Sequence, residues 1–88
     1  MKITEVQIIP IKPKDGLVAF ATVVVESGLY LGSMAVYRRI DGNGYRITYP
    51  TKKVGQKDIN IFHPINKEVA KAIENAVTER AKEILLPF

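Results

Sequence analysis

Apolar and polar residues alternate along the first half of the chain in short stretches, which is the pattern of β-strands with two different faces. β-Branched and aromatic residues are concentrated in these stretches and favour the same structure. The predicted strands are residues 2–12, 17–26, 29–40 and 45–49. Residues 17–26 are apolar on both faces, which favours a place in the middle of a sheet or at a subunit contact. Pro10 cannot donate a ladder hydrogen bond, so the first strand is expected at a sheet edge or with a bulge.

Turn-forming residues separate the predicted strands. Pro-Lys-Asp-Gly at residues 13–16 and Ser-Gly at residues 27–28 are typical turn sequences. Residues 41–44, Asp-Gly-Asn-Gly, contain two dipeptides that accept positive φ and therefore predict a hairpin. Together these signals predict an antiparallel meander of four strands. After a loop at residues 50–56, residues 58–62 are expected to form a fifth short strand or an extended connection.

Strand alternation also predicts which side chains of the third and fourth strands share a face. In the third strand one face should carry Tyr30, Met34, Val36 and Ile40. In the fourth strand one face should carry Tyr45, Ile47 and Tyr49.

A helix is predicted at about residues 67–85. Asn66 is a suitable N-cap because its side-chain oxygen can accept from the first free backbone amides, and Glu68 suits the positive end of the helix dipole. An apolar stripe at helical spacing contains Val69, Ile73, Ala76, Val77, Ala81 and Ile84. The predicted fold class is α+β, with an antiparallel meander of four to five strands within about residues 2–62 followed by one C-terminal helix.

The chain has 88 residues, so a single domain over residues 1–88 is expected. A domain of this size has a thin core that a second subunit can complete, so a homo-oligomer is expected. The sequence has no cysteine, and its start lacks the apolar core of a signal peptide. No apolar stretch has the roughly 18 residues that a membrane span needs. We therefore expect a cytoplasmic protein without a membrane partner.

The net charge of +4 is concentrated in one part of the chain. Residues 38–57 contain six basic residues and a single acid, Asp41. A field of this kind attracts polyanions such as nucleic acids. The alternative is a solvated basic loop that serves only solubility.

Catalytic and metal-binding patterns are not found in the sequence. His63 is the only histidine, so a zinc site would need clustered carboxylates, which the sequence does not contain. Ser27 lies in a predicted turn and Ser33 inside a predicted strand, and neither has a base at an informative spacing. We therefore expect no enzyme, no cofactor and no metal. What remains is a basic surface, with Lys52 and Lys53 in a loop and Arg46 in the strand leading to it, suited to phosphate contacts.

Three segments together resemble one protein family. They are Ile-Asp-Gly-Asn-Gly-Tyr at residues 40–45, Tyr-Pro-Thr-Lys-Lys at residues 49–53, and His-Pro-Ile-Asn at residues 63–66 ahead of the helix. This combination resembles the stage V sporulation protein G (SpoVG) family over nearly the whole chain. The resemblance implies a small antiparallel sheet with a C-terminal helix, paired into a homodimer through the sheets.

The same resemblance implies binding of DNA and RNA, a regulatory role in gene expression, and an effect on asymmetric septation during sporulation. The nucleic-acid contacts of the family fall here on Lys52 and Lys53, with Thr51 where serine is usual. We expect Arg46 and Lys57 to assist them. The chain departs from the family pattern in having Lys53 in place of arginine and in its shorter loop before His63. The alternative function is a non-catalytic protein-interaction module of the division or sporulation machinery.

Overall fold

The structure is a computed structural model, and it describes residues 2–42 and 44–85. Within these residues, six strands precede one helix. In chain order these elements are β1 (Ile3–Lys14), β2 (Leu17–Val25), β3 (Leu29–Arg38), β4 (Tyr45–Thr48), β5 (Thr51–Val54), β6 (Lys57–Asn60) and α1 (Lys67–Ile84).

Strands β1 to β4 form an antiparallel meander in the order β1-β2-β3-β4. The predicted four-stranded meander and C-terminal helix are therefore confirmed. The apolar strand β2 lies between β1 and β3, and β1 is an edge strand, as Pro10 predicted. The register of β1 against β2 shifts between Pro10 and Lys14, so the predicted bulge is present as well. Asn43 of the Asp-Gly-Asn-Gly segment lies outside the described residues.

The fifth predicted strand does not extend the meander. Residues 51–54 and 57–60 pair only with each other and form a second sheet of two strands, β5 and β6. The prediction of a loop at residues 50–56 was wrong, because Thr51, Lys52 and Lys53 belong to strand β5. We call the β5–β6 hairpin, residues 51–60, the arm.

The helix α1 covers one face of the meander. Asn66 caps it as predicted, since its Oδ1 accepts a hydrogen bond from the Val69 amide at 2.9 Å. The core lies between this face and the helix, and its largest fully buried side chains are Val23, Met34, Val36 and Val77. Of the predicted stripe, Ile73, Val77 and Ala81 are buried.

The prediction that Tyr30 and Ile40 share a face with Met34 was wrong. Tyr30 pairs with Val24 whereas Met34 pairs with Ala21, and these two β2 residues point to opposite faces. The register shift between the two pairs inserts an extra residue at the position of Gly32 and Ser33, where Ser33 has φ +62°. One inserted residue moves the side chains of the following strand residues to the opposite face of the sheet. Ile40 lies beyond the end of β3 and is fully exposed.

Candidate nucleic-acid interface

The arm is a regular two-stranded hairpin with a short turn. Val54 pairs with Lys57, so only Gly55 and Gln56 connect the strands. Gly55 has φ +66°, and glycine at the first position of a two-residue turn is characteristic of type II′. At the base, the Ile61 amide donates to the Pro50 carbonyl at 2.9 Å and extends the ladder by one pair. Local hydrogen bonds and turn chemistry therefore shape the arm.

The arm is separate from the rest of the fold. No Cα atom of β1 to β4 or α1, as far as the structure describes them, lies within 8 Å of a Cα atom of β5 or β6. All eight strand residues of the arm are exposed, including the apolar side chains of Val54 and Ile59. The single chain thus leaves both faces of the arm accessible to a ligand.

The two faces of the arm carry different chemistry. Register and alternation place Lys52 and Lys57 on one face together with Val54 and Ile59. The other face carries Thr51, Lys53, Asp58 and Asn60. Lys53 is directly opposite Asp58, which lowers the positive potential on that face. The structure therefore brings together Lys52 and Lys57, and it separates Lys52 from Lys53.

The lysines of the arm are available for contacts with an anion. The ion pairs within residues 2–42 and 44–85 include Arg39–Asp41, Arg80–Glu83 and Lys82–Glu79, and none of these involves the arm. No carboxylate of the described residues forms an ion pair with Lys52, Lys53 or Lys57, so a phosphate could approach these ammonium groups without displacing a carboxylate.

Arg46 is not part of the arm. It lies in β4, and its guanidinium carbon is 4.5 Å from the centroid of the Tyr37 ring, close enough for a cation–π interaction. This contact holds the guanidinium over the face of the meander that the helix does not cover. Of the five predicted site residues, four thus belong to the arm and one to the larger sheet.

The face of the meander that helix α1 does not cover is a second exposed surface of the chain. We call it the open face, and its apolar side chains include Ile9, Phe20, Val24, Tyr30 and Ala35. Ile9 is 53% exposed, Phe20 38% and Tyr30 69%. Exposed apolar side chains of this size in one sheet face are characteristic of an interaction surface.

Sequence reasoning missed a cleft between β4 and α1. It has a volume of about 250 Å³ and is lined by Arg39, Tyr45, Arg46, Ile47, Glu74, Asn75 and Thr78. The residues come from three separate segments, so no local motif marks the cleft. The only sequence signal was the position of Arg39 and Arg46 in the basic segment.

Tyr49 lies between the meander and the arm and has a perturbed pKa. Burial of the hydroxyl raises the pKa of Tyr49 above its usual value, and the negative charge of Glu74 adds to this shift. The Tyr49 ring packs edge-on against Phe62, with ring centroids 6.0 Å apart. The base of the arm is therefore flanked by an aromatic pair.

His63 has a local structural contact. Its Nδ1 donates to the carbonyl oxygen of Pro64 at 3.0 Å, just before the helix begins. No three His, Cys, Asp or Glu side chains of the described residues lie close enough together to hold a metal ion.

Comparison with known proteins gives the family of this fold. The SpoVG family model matches residues 1–83, which include the meander, the arm and almost all of the helix. The chain belongs to the SpoVG family. A SpoVG relative from Clostridioides difficile (strain 630), named "Putative septation protein SpoVG", is 30% identical over 90 residues, covering 100% of this chain and 95% of the relative. A relative of the same name from Treponema denticola is 33% identical over 81 residues, covering 90% and 84%.

The SpoVG match confirms the family resemblance that the three sequence segments indicated. The names of both relatives associate SpoVG proteins with septation. Among the residues described, this SpoVG protein has no helix long and apolar enough to span a membrane.

Proposed function

We propose that this SpoVG protein is a homodimeric regulatory protein of sporulation and asymmetric septation that binds DNA or RNA through the arm. The observation that carries the proposal is the accessibility of the arm, whose three lysines form no ion pair with the described residues. The cytoplasm, where such targets are found, is the proposed location.

The arm has the shape and charge for contacts with a phosphate backbone. A two-stranded ribbon fits the major groove of duplex DNA. Lysine ammonium groups on long side chains neutralise phosphates without reading sequence, so binding through Lys52 and Lys57 would tolerate many sites. On the opposite face, the side chain of Asp58 beside Lys53 would disfavour phosphate. We therefore expect the face with Lys52 and Lys57 to contribute most of the binding.

A second copy of the chain is the proposed partner of the open face. Burial of Ile9, Phe20 and Tyr30 against a second sheet would remove exposed apolar surface from water, which favours association. A dimer formed in this way presents two arms, and therefore four lysines on their Lys52 and Lys57 faces.

The salt dependence of binding tests this function. If four lysines each neutralise one phosphate of duplex DNA, the slope of log K against log salt concentration is about −3.6. Gel-shift titrations at several salt concentrations measure this slope. The Lys52→Ala/Lys57→Ala double variant should lose most of it, whereas Lys53→Ala should lose less because Asp58 already opposes that charge.

The matched control carries the same loss of charge on the helix. Lys67→Ala/Lys71→Ala removes two exposed lysines of α1 and should leave the slope unchanged. Equal loss in the two double variants would mean that net charge, and not the arm, determines binding. An undetectable affinity of the unmodified protein for duplex and single-stranded probes at 50 mM salt would exclude the nucleic-acid function altogether.

A further inference from the structure

The outer edge of β4 has backbone groups that point away from the sheet. The Arg39 amide donates to the Gly44 carbonyl at 3.0 Å, which makes Arg39 and Gly44 a hydrogen-bonded pair of the β3–β4 ladder. Such pairs alternate along an antiparallel ladder. The backbone groups of Arg46 therefore face β3, and the N–H and C=O of Ile47 face outward. No strand in the described ranges pairs with this outer side.

The edge of β4 lies beside the cleft that separates β4 from α1. The cleft of about 250 Å³ runs between β4 and α1, with Asn75 and Thr78 on the helix wall. A groove between an exposed sheet edge and a helix is a geometry that accepts an extended peptide as an additional strand. The peptide backbone then bonds to the edge, and alternate side chains point toward the helix.

We propose that the outer edge of β4 binds an extended peptide with alternating acidic and neutral residues, which adds a fifth strand to the meander. A side chain opposite Arg46 lies on the open-face side, next to the guanidinium, so an acidic residue suits that position. The two neighbouring side chains point to the helix, where Glu74 disfavours an acid and where Asn75 and Thr78 can meet a neutral polar group. This proposal depends on the fold of β4 and not on the function of the arm.

A second copy of the chain fits this edge less well than an acidic peptide. Antiparallel self-pairing that uses the outward-facing groups of residues 45 and 47 places Arg46 of each copy directly opposite that of the other. Like charges in directly opposite positions destabilise a sheet. A nucleic-acid strand also fits less well. The outward carbonyl of Ile47 is a hydrogen-bond acceptor, and the phosphate oxygens are acceptors too, so the two cannot form a hydrogen bond with each other.

Fluorescence anisotropy with a defined probe tests the proposal. The probe is a labelled peptide of about eight residues that alternates threonine and glutamate. One control peptide has lysine in place of glutamate. Two further controls have the acidic sequence with N-methyl groups on alternate amides, one on the threonine amides and the other on the glutamate amides, and these are the two N-methylated registers. We expect binding of the acidic peptide and loss of binding for the lysine peptide and for one N-methylated register, because that register cannot donate to the edge.

Charge reversal in the protein gives the complementary test. Arg46→Glu should weaken binding of the acidic peptide about tenfold and strengthen binding of the lysine peptide. The matched control is Lys12→Glu on β1, at the opposite edge of the sheet, and it should change neither affinity by more than about twofold. Hydrogen exchange of the Ile47 amide should slow when the acidic peptide is present, because that amide gains an acceptor.

Four results would overturn the proposal. Equal affinity for both N-methylated registers would mean that no backbone pairing occurs. Unchanged exchange of the Ile47 amide at saturating peptide would place the peptide elsewhere. If Arg46→Glu sediments as a monomer, the unmodified protein sediments as a dimer, and the peptide affinity does not change, the edge binds a second copy of the chain. If single-stranded oligonucleotides displace the labelled peptide and unlabelled acidic peptide does not, the edge binds nucleic acid.

Discussion

Replacement of Tyr49 by phenylalanine is expected to stabilise the protein. The Tyr49 hydroxyl is buried and has no hydrogen-bond partner within the described part of the chain. Burial of a polar group without a partner costs about 1 to 3 kcal/mol relative to a satisfied group. Tyr49→Phe removes the hydroxyl and keeps the ring that packs against Phe62. We therefore expect the free energy of unfolding to rise by about 1 kcal/mol.

Urea denaturation followed by circular dichroism measures this change at neutral pH. For a domain of this size, a gain of about 1 kcal/mol corresponds to a rise in melting temperature of about 4 to 8 °C. The matched control is Tyr37→Phe, which keeps the ring under the Arg46 guanidinium and should change stability by less than about 0.5 kcal/mol. A Tyr49→Phe protein that is less stable than the unmodified one would show that the hydroxyl is satisfied in solution, and the reasoning would be wrong.

The raised pKa of Tyr49 adds a dependence on alkaline pH. Burial, and then the Glu74 carboxylate, keep the folded hydroxyl protonated at pH values where the unfolded tyrosine, with its pKa of 10.0, already ionises. The native state then binds more protons than the unfolded state, so stability falls as pH rises from 10 through the folded pKa. The slope that one such group adds cannot exceed about 1.4 kcal/mol per pH unit. Tyr49→Phe should lose this part of the slope, and an unchanged alkaline profile would contradict the assignment.

Three further predictions concern the core, the helix cap and the arm. Met34→Ala removes a fully buried side chain and should cost about 2 to 5 kcal/mol in urea denaturation, whereas the same change at the fully exposed Ile40 should cost almost nothing; similar losses at both would contradict the exposure of Ile40 beyond the end of β3. Asn66→Ala should lower stability by about 1 kcal/mol, and no loss would mean that the cap bond to Val69 does not form in solution. Gly55→Val places a β-branched residue at φ +66°, so amide exchange in the arm should accelerate while the melting temperature stays nearly unchanged; a large fall in melting temperature would show that the arm packs against the meander.

Local sequence signals were sufficient for most of the fold. The Asn66 cap and the 3.6-residue stripe predicted the helix, because capping and helical periodicity depend on residues within one or two turns. Turn dipeptides and strand alternation predicted the order β1 to β4 for the same reason. The basic segment and the family motifs predicted a binding site at residues that the structure places in the arm.

The distribution of the site residues required the tertiary structure. Adjacent lysines at positions 52 and 53 looked like one cationic pair in a loop, but strand pairing with β6 separates them onto two faces and joins Lys52 to Lys57 instead. The sequence also does not predict that β5 and β6 are separate from the meander, because this depends on how the two sheets lie relative to each other in the tertiary structure.

The sequence alone predicted the four meander strands, the helix, their order and the family, but not strand β5. The tertiary structure decided which side chains meet. One inserted residue near Ser33 reverses the facing of Tyr30, and the cleft beside β4 joins Arg39, Arg46 and Thr78 from three distant segments. The physical reason is range: turns, caps and periodicity depend on neighbours in the chain, whereas facing after a bulge and the lining of a cleft depend on register between strands and on packing between elements.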